Sequence, residues 1–549
     1  MSTTKQFLPR MIILFCMLIF VFCMAAIVVP LQRLASTPLL SGLPTNRLLA
    51  AWGAWLPVDL HLVSNAQTSQ ISTNNLELFL LITLAFVVYS ISALVILYQL
   101  KKAKNTAIYS LMWVGTILIG LIFVLTPAML SHDIFVYADY GHTIVAHGGN
   151  PYFVPPGMGG FSRDVLTQLD DWRMDIAVYG PLWLDICSFL ALLLGNIPWH
   201  YIFAFRLLGL AAHLLNILLV ILILRRARCT KNMILLGAWL YAWNPLVLVE
   251  SSFGAHNDIL MATFLLLGIL LCMRAEQKGF THPANYIPPV VAFTLSALIK
   301  FTTIPLIIFF LVLLARKTLN STAIGTSRHQ QTALLRWRST FIHVLIASLL
   351  CGLLMLAFYA PFWVGHNLVD IGRSFSSPPS ATNSENSIHR VLLEWVKRHG
   401  LPQQTSWTYL PMSIFSSHIV WNIITIVVLA CTIVVGVIFL WRIPTTQVLI
   451  LAVLASLGAL LIVTPWFYSW YIIWLIALAG ASFSMPASQI RRALVGFALM
   501  FSFTAFLTYM SNSIALLGEW ASFVQAAIIP GLPLLVFLLL VTVPPVGAD

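Results

Sequence analysis

The chain alternates long apolar runs with short polar breaks almost from end to end. Runs near or above about 18 residues, enough for a helix to cross a bilayer, fall at about 11–29, 76–98, 107–130, 200–224, 233–250, 257–273, 340–363, 418–441, 446–463, 465–483, 493–510 and 522–542. Two segments break the pattern. Residues 181–197 are short and contain Asp185, and residues 287–315 are too long for one helix and are interrupted at Lys300 and Pro305. The pattern predicts an all-α, polytopic integral membrane protein of about 12–14 transmembrane helices, forming a single membrane domain over 1–549. A re-entrant or shallow helix is expected at 181–197. A short hairpin is expected at 287–315, with Lys300 near its tip.

Composition excludes a soluble protein, because 60% of residues are hydrophobic and only 8% are charged. The net charge of +12 does not point to nucleic acid. Its basic residues cluster in short loops (Lys101, Lys102 and Lys104; Arg225, Arg226, Arg228 and Lys231; Arg274 and Lys278; Arg316, Lys317, Arg328, Arg336 and Arg338; Arg491 and Arg492), as they do on the cytoplasmic side of membrane proteins. Lys5 and Arg10 place the N-terminus inside and make the first run a retained helix rather than a cleaved signal. The seven cysteines form no CxxC pair and no zinc-like spacing with histidine.

This threading leaves three polar loops, 30–75, 131–180 and 364–417, on the outer face. All but Glu276 and Asp549 of the 17 acidic residues fall on that side. Acidic residues do little to set topology, so their one-sidedness indicates that the outer face is where the chemistry lies. In "MLSHDIFVYADYGHTIVAHGGNPYF" (129–153), Asp133 stands close to the membrane end of a helix, where desolvation would raise its pKa toward that of a general base; an N-cap role is the structural alternative. Asp139 is its competitor, but helical spacing puts 133 and 137 on one face and 139 on another. His132, His142 and His147 include no i, i+4 pair with a third ligand nearby, so no metal site is expected.

Further candidates lie along the other outer segments. His256, Asn257 and Asp258 in "GAHND" form either a helix start or, with Glu250, a polar rim for sugar hydroxyls. An ammonium inside an apolar hairpin costs about 2.5–3.5 kcal/mol to insert, so Lys300 calls for an anionic partner such as a lipid phosphate, with Arg206 as a helper; snorkelling to the interface is the structural alternative. Trp466, Tyr468, Trp470, Tyr471 and Trp474 in "TPWFYSWYIIW" suit an interfacial belt or a stacking surface for sugars and prenyl chains.

These stretches, with "YGPLW" (179–183, carrying Tyr179) and "ALIKFTTIPL" (297–306), occur in an order that resembles the GT-C glycosyltransferases, in particular the bacterial mannosyltransferases that use a polyprenyl-phosphate sugar. The resemblance spans 131–474. It implies a GT-C-like fold in a plasma (inner) membrane with an extracytoplasmic active site, a polyprenyl-phosphate sugar donor, a glycan or glycolipid acceptor, and Asp133 as the catalytic carboxylate. The acidic motif follows the third predicted span rather than the first, which implies an added N-terminal hairpin. A single displacement would invert the anomeric centre, with Asp133 as base and Lys300 holding the leaving phosphate. One phosphate demands no metal, and no cofactor is implied, although a divalent ion is compatible with the chemistry. The rival reading is a lipid or solute transporter, which would also use an intramembrane cation and broken helices but should show paired repeats; none are found.

Overall fold

A computed structural model describes residues 4–30, 68–98, 106–126, 129–324, 333–376, 383–399, 414–510, 524–525 and 527–543. Among them, ten helices are long and apolar enough to cross a membrane, or eleven if one bent pair is counted as a single span. Four apolar helices of 10–17 residues join them. Most of the 30–75 loop, the lysines at 101–104 and Arg328 lie outside the described residues.

The helices are, in chain order, α1 (Thr4–Ala26), α2 (Thr68–Tyr98), α3 (Thr106–Leu125), α4 (Asp133–His147), α5 (Val165–Leu169), α6 (Pro181–Leu194), α7 (Pro198–Arg226), α8 (Lys231–Ala242), α9 (Pro245–Ser252) and α10 (Asp258–Lys278). They continue with α11 (Pro283–Ile299), α12 (Ile304–Ile324), α13 (Ala333–Trp363), α14 (Leu368–Ser376), α15 (Ile388–His399), α16 (His418–Arg442), α17 (Thr446–Val463), α18 (Ile472–Ser482), α19 (Gln489–Thr504) and α20 (Leu532–Thr542).

Ion pairs fix the direction of the central helices. Lys300, between α11 and α12, bonds Asp258 at the start of α10, while Lys317 near the other end of α12 lies 2.7 Å from Glu276 near the end of α10. α10 and α12 are therefore parallel, and α11 runs back between them. The 287–315 segment is the expected hairpin, tipped at Lys300. Arg225, Arg226 and Arg274 share one pocket at the opposite end of the bundle, and Tyr109 at the start of α3 reaches the Lys231 carbonyl. The basic clusters thus gather at the end away from Lys300.

The short helix α6, about 21 Å long, does not reach across the bundle. It begins at Gly180, whose N–H donates to the Ile299 carbonyl beside Lys300 (2.9 Å), and three residues after it α7 sets off toward Arg225 and Arg226. One expectation needs correction. The 233–250 run is not a single straight helix but α8 and α9, bent by 53°. Pro245 has no N–H to continue α8, and the Asn244 side chain accepts from the Val247 N–H to start α9.

The most buried helices form the centre. Every residue of α8 from Ile234 to Ala242, all of α9 and all of α18 are buried. α8 and α18 approach closely enough that a Cβ on Gly237 would lie 2.8 Å from the Gly480 carbonyl oxygen, the small-residue contact expected between helices in lipid. α13 and α16 lie outermost; only 11% of the apolar window of each is buried, leaving the rest of their apolar surface facing outward.

Candidate active site

At the Lys300 end of the bundle lies a cavity of about 530 Å3. Its walls come from segments far apart in sequence: Asn75 two turns into α2, Asp133 and Tyr140 of α4, Trp172 and Tyr179 of the 148–180 loop, Lys300 at the hairpin tip, and Trp466, Tyr468, Trp470 and Tyr471. The third polar loop reaches it as well. Glu385 exchanges backbone hydrogen bonds with Pro465 and Phe467, which brings Asn386 into the wall.

Asp133 is the first residue of α4 and 8% exposed. Tyr137, one turn on, points its hydroxyl at the Asp133 carboxylate (3.5 Å) and receives the Asn257 N–H (3.5 Å). His256 Nδ1 lies 3.3 Å from the same carboxylate, and its Nε2 lies 3.4 Å from Glu250. Glu250 in turn accepts a 2.6 Å bond from Tyr509. The ring of His256 is completely buried and stacks on Trp470 at 3.8 Å. Two local features aim it there. Ala255 is held at φ 55°, a left-handed conformation costly for a residue with a Cβ, and Gly254 has no side chain because a Cβ would lie 2.7 Å from the His256 ring and 2.9 Å from Glu250.

Burial pushes the Asp133 carboxyl up, but the bond and charge of His256, the Ser131 hydroxyl and the charge of Lys300 together hold it below the ordinary aspartate value. The raised pKa expected from the sequence is thus reversed, because the sequence could not show His256 arriving from 123 residues away.

Lys300 has an anionic partner within the protein. Its Nζ donates to both oxygens of Asp258 (2.9 and 3.1 Å) and sits over the Tyr471 ring at 4.2 Å. The Trp474 indole N–H donates to Asp258 at 2.6 Å. Asp258 is therefore neither a sugar rim nor only a helix-start acid; it is fully buried as the counter-ion of Lys300.

Of the residues singled out from the sequence, Asp133, Tyr179, Lys300, Trp466 and Tyr468 line the cavity. His256, Asn257 and Asp258 lie directly behind it. Arg206 and Asp139 do not line it. Arg206 is fully buried, bonds the carbonyls of Phe253, Phe123 and Thr126, and lies over the Phe253 ring, so it ties α7 to the ends of α3 and α9 rather than meeting a phosphate. Asp139 accepts from Thr167 (2.7 Å) and Thr143 (3.4 Å) and faces Asp170. Burial raises both carboxyls of this pair, and for Asp170 the charge of Asp139 adds to it, so the pair retains a proton well above the ordinary carboxylate range. The sequence links Glu250 only to a sugar rim. Tyr509, Asp170 and Trp172 had no sequence signal at all, since their roles arise only from long-range contacts.

A family model described as alpha-(1->6)-mannopyranosyltransferase, N-terminal domain, matches residues 42–316. The chain belongs to that family of membrane glycosyltransferases. It is similar to alpha-(1->6)-mannopyranosyltransferase A of Mycobacterium tuberculosis (26% identical over 161 residues, 28% of this chain and 30% of the relative) and to a second alpha-(1->6)-mannopyranosyltransferase of that organism (29% identical over 159 residues, 29% of this chain and 26% of the relative). The matched stretches thus span less than a third of these relatives' length. No solved structure matches. The family match takes in Asp133, Tyr179, His256, Asp258 and Lys300, and stops before the aromatic wall at 466–471.

Proposed function

We propose that this protein transfers mannose from a polyprenyl-phosphate donor to a sugar hydroxyl on the extracytoplasmic side of the plasma membrane. The observation that carries the reading is the common cavity: a carboxylate, Asp133, and an ammonium, Lys300, open onto one aromatic-walled space.

In this reading the donor's prenyl chain stays among the apolar helices and its phosphate approaches Lys300. Asp258 and Tyr471 orient the ammonium, and an N–H toward the cavity meets the phosphate oxygen as the C1–O bond breaks and charge gathers there. Asp133 accepts a hydrogen bond from the acceptor hydroxyl and takes its proton as the new C–O bond forms. A hydroxyl bonding to an electron-poor anomeric carbon becomes strongly acidic, so a carboxylate of low pKa is sufficient. Its low pKa also keeps it ionised and ready. His256, backed by Glu250 and Tyr509, fixes the carboxylate's position. Trp466, Tyr468 and Trp172 offer ring faces for the acceptor sugar.

A single displacement inverts C1, so an α-(1→6) product, as named for the relatives, would require a β-linked donor and a primary hydroxyl acceptor. The test is reconstitution of the full chain in liposomes with polyprenyl-phosphate mannose labelled in the sugar. The reading expects label in an α-linked glycan. Label that crosses the bilayer still attached to its lipid, without transfer, would overturn it in favour of transport.

A further inference from the structure

The sequence offers no metal-ligand spacing, yet the fold assembles one set of ligands away from the reaction cavity. His142 and His147, five residues apart at the C-terminal end of α4, converge on Asp164, which arrives from beyond the Gly148–Gly149 turn. His142 Nδ1 lies 2.9 Å and His147 Nε2 lies 3.0 Å from the same oxygen, Asp164 Oδ2, and the three ligand atoms lie within 4.8 Å of one another.

Three features distinguish this from a solvated polar cluster. His142 is buried, with its side chain 11% exposed, and although Asp164 Oδ2 is so near, its Nδ1 makes no aligned hydrogen bond. The Asp164 carboxylate is already oriented, because Oδ1 accepts the Leu166 N–H at 3.0 Å at the start of α5, leaving Oδ2 to face the imidazoles. The His147 ring is held flat against Phe161, at 4.1 Å and 14°. The turn that allows this needs glycine twice: Gly148 is left-handed at φ 62°, and a Cβ on Gly149 would lie 2.7 Å from the Thr143 methyl.

The geometry points to a site for a divalent transition-metal ion of the zinc type, bound by His142 Nδ1, His147 Nε2 and Asp164 Oδ2, with water in the fourth position. Two imidazoles and one carboxylate suit zinc, whereas magnesium and calcium prefer all-oxygen shells. Tetrahedral bonds of about 2.0–2.1 Å set ligand atoms roughly 3.3 Å apart, so each imidazole–carboxylate spacing, 2.9 and 3.0 Å, needs to open by only a few tenths of an ångström.

None of the three ligands lines the reaction cavity. His142 lies nine residues along α4 from Asp133, a rise of about 13 Å. The ion would act structurally. It would clamp the end of α4 to α5 and so hold in place the loop that delivers Asp170, Asp171 and Trp172 to the cavity region.

The test uses tag-free, full-length protein in detergent, incubated with zinc chloride and desalted into metal-free buffer. Bound zinc is counted by mass spectrometry, and its ligands are read by X-ray absorption. About one zinc per chain with a nitrogen and oxygen shell is expected from the ligand count. His147→Gln and Asp164→Asn, the latter able to keep the helix cap, should each lower zinc affinity by at least about tenfold. No retained zinc, a sulfur-containing shell, or variants that bind as tightly as the parent would overturn the assignment. The absorption measurement on the unmodified protein stands even if the variants fail to fold.

Discussion

Lys300 donates to both carboxylate oxygens of Asp258, 42 residues earlier, at 2.9 and 3.1 Å, while Trp474 donates to the same acid from 216 residues later. The start of α10, helix α18 and the tip of the α11–α12 hairpin therefore meet on one ion pair at the edge of the cavity. Removing either partner alone leaves the other charge stranded in a poorly polarisable setting. Asp258→Leu or Lys300→Met alone should cost about 3–5 kcal/mol of stability, and the two combined much less than the sum of these single changes. Thermal unfolding of the four species in detergent measures the cycle.

The depressed Asp133 carboxyl makes a prediction about acid pH. A base that must be ionised loses activity only as pH falls through its pKa, so the acid limb of kcat/KM should lie below the ordinary aspartate value. His256→Gln removes the main lowering influence and leaves burial to act. The limb should then move to higher pH. A pH–rate profile in which the two proteins share one acid limb would contradict the role given to His256.

The Asp139–Asp170 pair gives the opposite sign. Burial raises both, and Asp170 is pushed up to about 8, against about 3.9 for an unfolded aspartate. Between those values the folded chain holds more protons than the unfolded one, so the pair's contribution is full below about pH 4 and is lost as pH rises toward about 8. Stability should decline over that window in the parent. In Asp170→Asn, which keeps a hydrogen-bond donor toward Asp139 without the second titration, the decline should flatten. Unfolding midpoints across pH check this.

Gly180 tests how tightly the hairpin tip is held. A Cβ there would lie 2.0 Å from the Leu298 carbonyl oxygen, a backbone atom that cannot swing away, just before Lys300. Gly180→Ala should cost about 1–3 kcal/mol or more by overpacking. It should also impair transfer by displacing Lys300. Unfolding midpoint and transfer rate are to be measured together.

How far the sequence reveals this protein depends on the range of the interaction. Helix existence is local: apolar runs of bilayer length mark α7, α10 and α16, and the break at Lys300 marks the hairpin. The α8–α9 bend is written in Asn244–Pro245, but hydropathy averages across it. Asp133, Lys300 and the 466–471 aromatics stand out as polar or amphipathic groups in apolar surroundings. Their pairings do not. Asp258 and Glu250 show as polar residues of an outer turn and Tyr509 shows nothing, but what each pairs with emerges only when folding brings chain segments up to 259 residues apart into contact. The sequence points to a raised Asp133 pKa for that reason, and to a phosphate for Arg206 because a buried guanidinium's carbonyl partners leave no trace in sequence.

The central claim is that Asp133 takes the acceptor's proton in a cavity where the donor is held separately. It is tested most directly by the rate of mannosyl transfer from polyprenyl-phosphate mannose by Asp133→Asn in liposomes, with donor binding measured on the same protein. The rate should fall by about 10²- to 10⁴-fold, with insertion and donor affinity retained. A variant that transfers mannose at the parent's rate would contradict it.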